Sequence, residues 1–567
     1  MRKVLLTALA LCTMGIASAQ MNGNQARVYA YGLEQAEETG TVTTYTLTFK
    51  TNTAATEASV NLKDANGDVK YTVPAVKTDD AGKAWEAVVD VYELNKLGKD
   101  VVAGDYTWEA TVSAPEVTAW TTVYNSEDKV DGQVILNFYR SYGLEVDKSP
   151  ESSNFGRVYM AHQATSGTNV PVGMYTFTPE LQIENDGNPY KNDIFGIGEA
   201  DTSTCSLADM CIAKDGRLFF TATKLDLYNV YAINPNNLEK VTKVFNNATL
   251  KHEIPSETYK KYVYKSLFAS DGTRMTGVRG SIATYGEGEN TTLMVLEPTN
   301  IYLKLWTSPI NEFKIGEDNT WDEAPTNTIA PTSGNCMKWW DSENNKNVNC
   351  HIANASVYPS MEATKNGFWC VQYYSSSNNS IPTFIYYSRK TGKVEYRDVY
   401  TYPSNASSTA LAVNEDLGLV AYAGTYNSTT KLTPAIVTKY SEDAETGKIT
   451  INEVNGTDYT LAGLGNKADA MTFDYAGNLY AITSGKEIMT VYALPDALVG
   501  ANTRTTPAKA SLKVKVTNED ILTGVEDIAV DANAPVEYYN LQGVKVENPS
   551  NGIFIKKQGT KATKVVL

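Results

Sequence analysis

The chain has three histidines, His162, His252 and His351, so any His-dependent triad or metal centre must draw on these. No G-x-S-x-G elbow accompanies them. Cys350 directly precedes His351. Neighbours on a strand point to opposite faces, which argues against a hydrogen-bonded Cys–His dyad there. Asp64-Ala65-Asn66-Gly67-Asp68 superficially has the acidic spacing of a calcium loop. Such a loop needs Gly sixth and Glu twelfth, and those places hold Val69 and Ala75, so an Asn-Gly hairpin turn is the better reading. Asp201, Asp209 and Asp215, expected on loops, leave room for a divalent cation; no other cofactor is expected. Paired carboxylates for glycoside cleavage are close in space rather than in sequence, so none is singled out. P-loop and G-x-G-x-x-G patterns are missing, which leaves nucleotide binding unsupported. The most suggestive surface is Cys336-Met337-Lys338-Trp339-Trp340-Asp341 in an Asn- and Ser-rich stretch. Trp339 and Trp340 can stack on a sugar ring or a peptide while Asp341 fixes a polar group. Alternatively, one Trp packs between sheets and the other covers a loop. Trp306 and Trp321 are open to the same two readings.

These residues must be held by something large. At 567 residues the chain exceeds one ordinary core, and two to four domains are expected. Its net charge of -16 makes nucleic acid and anionic membranes poor partners, since both would repel it. The 36 tyrosines lean the composition towards β-structure. Arg2 and Lys3, the apolar run Val4–Ile16 and the small residues Ala17-Ser18-Ala19 read as a secretory signal over residues 1–19. Leu11 stands before Cys12 where lipidation wants a small residue. No later stretch is apolar enough to span a bilayer, so an exported protein, at the cell surface, extracellular or periplasmic, is expected. In that compartment Cys205 with Cys211, and Cys336 with Cys350, are plausible disulfides, leaving Cys370 over.

The expected fold is all-β in three parts after the signal. Residues 20–125 read as an immunoglobulin-like β-sandwich, with alternating strands such as Trp85-Ala87-Val89 and Tyr106-Trp108-Ala110-Val112 and turns at Asn66-Gly67 and Gly104-Asp105. Residues 126–515 carry a recurring turn glycine followed by an alternating strand, led by Gly156, Gly216, Gly280, Gly367, Gly418 and Gly477. Successive glycines lie 60, 64, 87, 51 and 59 residues apart. Short strands before these segments and further strands after them give about four strands per unit, the requirement of a β-propeller. Six blades are favoured, and the 87-residue interval has room for an insertion or a seventh. Residues 520–567 form a small β module.

Three resemblances bear on these parts. The run Val60–Val69 with Val102–Trp108 resembles the Ig-like domain of flagellar hook-capping proteins, which implies a spacer. Gly143-Leu144-Glu145-Val146-Asp147-Lys148-Ser149-Pro150-Glu151, leading to Phe155-Gly156-Arg157-Val158-Tyr159, resembles the first blade of NHL-repeat and gluconolactonase-type propellers. That resemblance implies a six-bladed funnel with ligands on one face. In gluconolactonase-type members it also implies a divalent metal held by Glu, Asn and Asp, a set not carried over here to particular residues. Tyr539-Asn540-Leu541-Gln542-Gly543, Gly552-Ile553-Phe554-Ile555 and Lys564-Val565-Val566 resemble the C-terminal sorting tail of type IX secretion substrates in Bacteroidetes. This implies a sorting role for Asn540, Gly543, Gly552 and Lys564 and a partner in the export machinery. The additional upstream strands of the fuller tail are missing, and a hairpin module with no sorting role is the alternative.

The combined reading is an exported binding or adhesion protein using a propeller as its platform, for a glycan or protein ligand. A propeller hydrolase acting on glycans or lactones is the alternative, and a structural envelope component the third reading.

Overall fold

The computed structural model describes the chain from residue 24 to 567, apart from 163–172, 191–206, 245–280, 297–309, 316–325, 330–337, 350–359, 373–382, 400–409, 424–434, 518–533 and several shorter loop pieces. The signal segment, Cys205, Cys336, Cys350, His252, His351, Asp201, Trp306 and Trp321 lie outside the described residues.

Between residues 143 and 493 the described strands form six antiparallel sheets of three or more strands in sequence order, besides one two-stranded hairpin. Their innermost strands are Gly143–Val146, Leu207–Ile212, Ile282–Tyr285, Ser360–Ala363, Leu411–Asn414 and Lys467–Phe473. Each touches the next, and the sixth returns to the first. Packing follows the same order. Apolar clusters fill each interval between neighbouring sheets, from Phe220 and Tyr159 between second and first to Leu144 and Ile482 between first and sixth. A lone sheet of this kind would leave one apolar face wet, so closure into a ring is what buries all of them. The fold is a β-propeller.

Turn chemistry explains why the glycine-led segments are regular. Gly156, Gly216, Gly418 and Gly477 have φ between +60° and +88°, a region that costs glycine little, and four of the six leading glycines carry their turns this way. Gly367 is different: a Cβ there would clash with the Tyr387 carbonyl oxygen. Gly367→Ala is therefore expected to cost about 2 kcal/mol through overpacking, read as a lowered urea midpoint. An unchanged midpoint would mean that the neighbouring strand gives way freely.

The segment led by Gly280 departs from the pattern. It supplies the innermost strand of the third sheet, and the second strand, Thr291–Leu296, follows the Gly286 turn instead. Within the long interval that follows, the described residues hold a two-stranded hairpin, Lys338–Asp341 with Lys346–Asn349, beside the outer strand Lys393–Val399 of the fourth sheet.

The expected boundaries at 125 and 515 are crossed in both directions. Thr121–Asn125 leaves the N-terminal unit and pairs with Ile488–Ala493 as the outermost strand of the sixth sheet. Thr503–Pro507 and Lys513–Val516 return from the propeller to pair with Gly104–Ser113. The physical reason is closure. The last sheet lacks a fourth strand from its own segment, and an early strand supplies it. The N-terminal unit is a two-sheet sandwich around Phe49, Leu62, Trp85 and Trp108. The expected Asn66-Gly67 turn is present: Asp64 Oδ1 accepts from Asn66 N at 2.9 Å and Asp68 N at 3.1 Å. Asp64 therefore serves the turn.

The C-terminal strands Val536–Tyr539, Lys545–Val546, Ile553–Gln558 and Lys561–Val566 form a separate four-stranded sheet. Asn540 Oδ1 accepts from Gln542 N and Val544 N, and Gly543 has φ +81° in the same turn. Gly552 exchanges backbone hydrogen bonds with Leu567, and Lys564 lies opposite Ile555. No described helix is long and apolar enough to cross a membrane.

Candidate functional site at the channel mouth

Each innermost strand ends in a turn before the sheet doubles back, and these turns ring one mouth of the propeller axis. Asp147, Ala213, Thr364 and Asp474 hold equivalent places, each with its N–H bonded to the carbonyl that closes the turn. Between the turns lies a cavity of about 680 Å³, within the range of small-ligand sites. Its wall includes Glu145, Cys211, Thr284 and Glu362, and its rim carries Lys148, Lys214, Glu287, Lys365, Glu415 and Tyr475.

Strand periodicity places the wall residues. Glu145, Cys211, Glu362 and Thr472 each stand two residues before their turn position, so all four project the same way from their strands. Leu144 and Val146, on the other face, pack against the sixth sheet. The first and fourth sheets are three steps apart round the ring in either direction, so Glu145 and Glu362 approach from opposite sides.

Glu145 is buried and its Oε2 accepts from the Thr472 hydroxyl at 3.2 Å. Burial pushes its carboxyl up, against the pull of the Lys148 ammonium. Glu362 is pushed well above the usual carboxylate range, first by burial and then by the charge of Glu145. Asp209, on the second innermost strand, accepts from Ile282 N at 2.9 Å and Met210 N at 3.1 Å, yet burial raises it to about 7. Asp209 and Glu362 are half-buried, and Glu362 lines the cavity. Burial thus opposes ionisation of Glu145, Glu362 and Asp209 alike, and each holds a proton more readily than a solvated carboxyl does. The arrangement can donate and accept hydrogen bonds, or take up a cation in exchange for the proton.

The sandwich docks beside this mouth. Tyr29 of the sandwich packs with Phe155 and Tyr475 from two of the turns, at ring separations of 5.6 and 6.1 Å. Tyr475 donates to Thr505 O at 3.0 Å, and Arg504 lies over its ring at 4.1 Å. Arg504 also pairs with Asp416 at 3.6 Å. The sandwich thereby walls one flank of the cavity mouth.

Of the residues singled out from sequence, Asp209 is on the innermost strand of the second sheet and not on a loop. Asp215 belongs to the turn before Arg217, where it binds that guanidinium at 2.8 Å and accepts from Gly288 N. His162 is fully buried on the second strand of the first sheet. Cys211 is a free buried thiol, so the expected Cys205–Cys211 disulfide is not formed; Cys370 is free as well. Cys211 instead lies on the wall beside Thr284, where burial lifts its thiol well above its usual range. Trp339, Trp340 and Asp341 occupy the inserted hairpin opposite Val348, Asn347 and Lys346, and other residues line the cavity. Among the described residues no three His, Cys, Asp or Glu side chains gather as they would around a metal ion.

Glu145, Lys148 and Glu362 were missed as site residues. A usable signal was present: each carboxylate is the lone charge in a short strand between apolar neighbours, Leu144-Glu145-Val146 and Met361-Glu362-Ala363.

The chain matches no protein-family description and no curated protein sequence. Among solved structures it is similar to a glucose dehydrogenase at 10% identity, covering 66% of this chain and 98% of that one with a TM-score of 0.33. It is similar to the Dos1 propeller at 8% identity, covering 68% and 88%, with a TM-score of 0.31. Hydrazine synthase of Kuenenia stuttgartiensis follows at 12% identity, covering 78% and 99%, with a TM-score of 0.31. Overlaps this shallow carry no functional argument, and the propeller assignment rests on the strand pairing.

Proposed function

We propose that the protein is an exported binding protein that takes its ligand at the turn-lined mouth of the propeller channel. The observation that carries this reading is the cavity on the axis, with Glu145 and Glu362 approaching from opposite sides of its wall. A purely structural propeller would fill its axis with apolar side chains, and this mouth is lined by carboxylates, lysines and tyrosines. The ligand is a glycan or a protein segment, since nucleic acid is repelled by a net charge of -16. Export and surface attachment through Asn540, Gly543, Gly552 and Lys564 rest on the tail resemblance.

A hydrolase acting on glycans or lactones is the second reading, favoured by the same pair. With one carboxyl protonated and its partner ionised, one acts as general acid and the other as base or nucleophile.

Thermal shift of the full mature chain against glycans, peptides and divalent ions tests the site, because a ligand of the folded state raises the melting temperature. A shift lost in Glu362→Gln and kept in Trp339→Ala/Trp340→Ala is expected. The reverse pattern would move the site to the inserted hairpin, and bond cleavage of the stabilising compound would favour the hydrolase.

A further inference from the structure

The turn after the first innermost strand differs from the others. It runs from Asp147 to Gly156 before the second strand begins, where the second sheet needs only Ala213 to Gly216. Asp147 folds its start, accepting from Ser149 N at 3.0 Å, and Glu151 ties it to Ala510 N beside the sandwich at 3.2 Å. Phe155 anchors its far end between Tyr29 and Tyr475. The loop is therefore fixed at both ends, and its one cation, Lys148, is directed into the cavity.

Lys148 reaches from the first sheet to the fifth, where its ammonium donates to Val413 O at 3.4 Å. An ammonium has three donors, and this long bond to a neutral carbonyl is a weak anchor. Its charge acts on both Glu145 and Glu362. A primary ammonium on a flexible stem thus lines the same cavity as both carboxylates without closing an ion pair with either. The geometry is that of a tethered occupant, held loosely enough to be exchanged.

We infer that the channel mouth takes a ligand bearing a primary alkylammonium group, which displaces the Lys148 ammonium and seats between Glu145 and Glu362. This inference rests on the reading of the mouth as the ligand site and names the chemistry that the site selects. The two charged ends of the exchange balance: one ammonium leaves the carboxylates for solvent as another arrives. The overall negative charge of the chain raises the local concentration of such a cation. The ammonium comes from a small amine or from a lysine side chain of a protein.

Calorimetric titration of the mature chain at pH 8 tests this with n-butylammonium and with a lysine-containing peptide blocked at both ends, whose one charge is the lysine ammonium. Wild type is expected to bind n-butylammonium weakly. Lys148→Met and Lys148→Gln, which remove the competitor, are expected to bind it about tenfold more tightly, and Glu362→Gln to lose binding. Tighter binding of the peptide than of the amine would identify a protein as the source. Unchanged or weaker amine binding in both Lys148 variants would overturn the inference. If a neutral sugar binds in a Glu362-dependent way while the amine does not, the mouth remains the site and the alkylammonium assignment falls. If every ligand found is indifferent to Glu362→Gln, the mouth itself is wrong.

Discussion

Arg27→Ala is expected to lower the unfolding free energy by about 4 kcal/mol, the scale of breaking a buried and fully bonded ion pair. Arg27 is 3% exposed and sits where the sandwich meets the sixth sheet. Its Nη1 donates to Asp496 Oδ1 at 2.8 Å and Leu494 O at 3.0 Å, and its Nη2 to Gly500 O at 2.7 Å and Ala501 O at 3.0 Å. Its Nε reaches Ala476 O at 3.3 Å. The backbone is held as firmly, with Arg27 N donating to Asn478 Oδ1 and Arg27 O accepting from Asn52 and Asn478. One side chain thus joins a mouth turn, the segment after the last propeller strand and the strap that returns to the sandwich. Removing it leaves Asp496 without its ion partner and several carbonyls without donors. Lysine cannot replace the planar fork, so Arg27→Lys is expected to recover less than half of the loss. Guanidinium unfolding followed by tryptophan fluorescence and far-UV circular dichroism checks both points. Wild type is expected to unfold with the sandwich and propeller coupled, and Arg27→Ala to separate them into two transitions. A loss below about 1 kcal/mol, or two transitions already present in wild type, would show that Arg27 does not join the units.

How much of this was legible in the sequence depends on the range of the interaction. The glycine-led segments are local, and five of the six mark second strands, because each turn and its strand are encoded within a few residues. The Gly280 segment misled for the same reason: Gly286 and Gly288 both adopt left-handed conformations a few residues later, and only pairing decides which turn closes the sheet. Alternation likewise placed Trp85, Ala87 and Val89 in a core. What could not be read was closure. Nothing local in Thr121–Asn125 says that it pairs with a strand more than 350 residues later, nor that Thr503–Pro507 returns to Gly104–Ser113. The site suffers from the same limit. Glu145 and Glu362 are separated by over 200 residues and meet only because the ring brings its first and fourth sheets face to face. Trp339 and Trp340 drew attention as a conspicuous pair, whereas each site carboxylate is a single acidic residue in an ordinary strand.

Glu362→Gln and Asp474→Asn are expected to change stability in opposite directions, although burial raises both carboxyls. Asp474, fully buried, is pushed up to about 6. A carboxyl whose folded-state value is raised stabilises the fold when protonated. That contribution is complete below the ordinary carboxylate range and is lost as pH rises through the raised value. Both residues therefore make the protein less stable at pH 8 than at pH 5. Their surroundings decide what an amide does. Glu362 faces the channel, where burial and the Glu145 charge oppose ionisation, so glutamine keeps the shape and removes the cost. Glu362→Gln is expected to gain about 2 kcal/mol at pH 8 and almost nothing at pH 4, while ligand binding is lost, as when a site residue is traded for stability. Asp474 folds its own turn. Its Oδ1 accepts from Ala476 N at 3.0 Å and Asn478 N at 2.8 Å, and its Oδ2 from Asn478 Nδ2 at 2.7 Å. An asparagine must turn an NH2 towards one of those donors, leaving buried donors unpaired, and a loss of about 3 kcal/mol at pH 8 follows. Urea midpoints of both variants between pH 4 and 8 decide the matter. If Glu362→Gln is destabilised as Asp474→Asn is, then Glu362 is a structural carboxyl, and the channel mouth loses the residue on which its reading as a ligand site most depends.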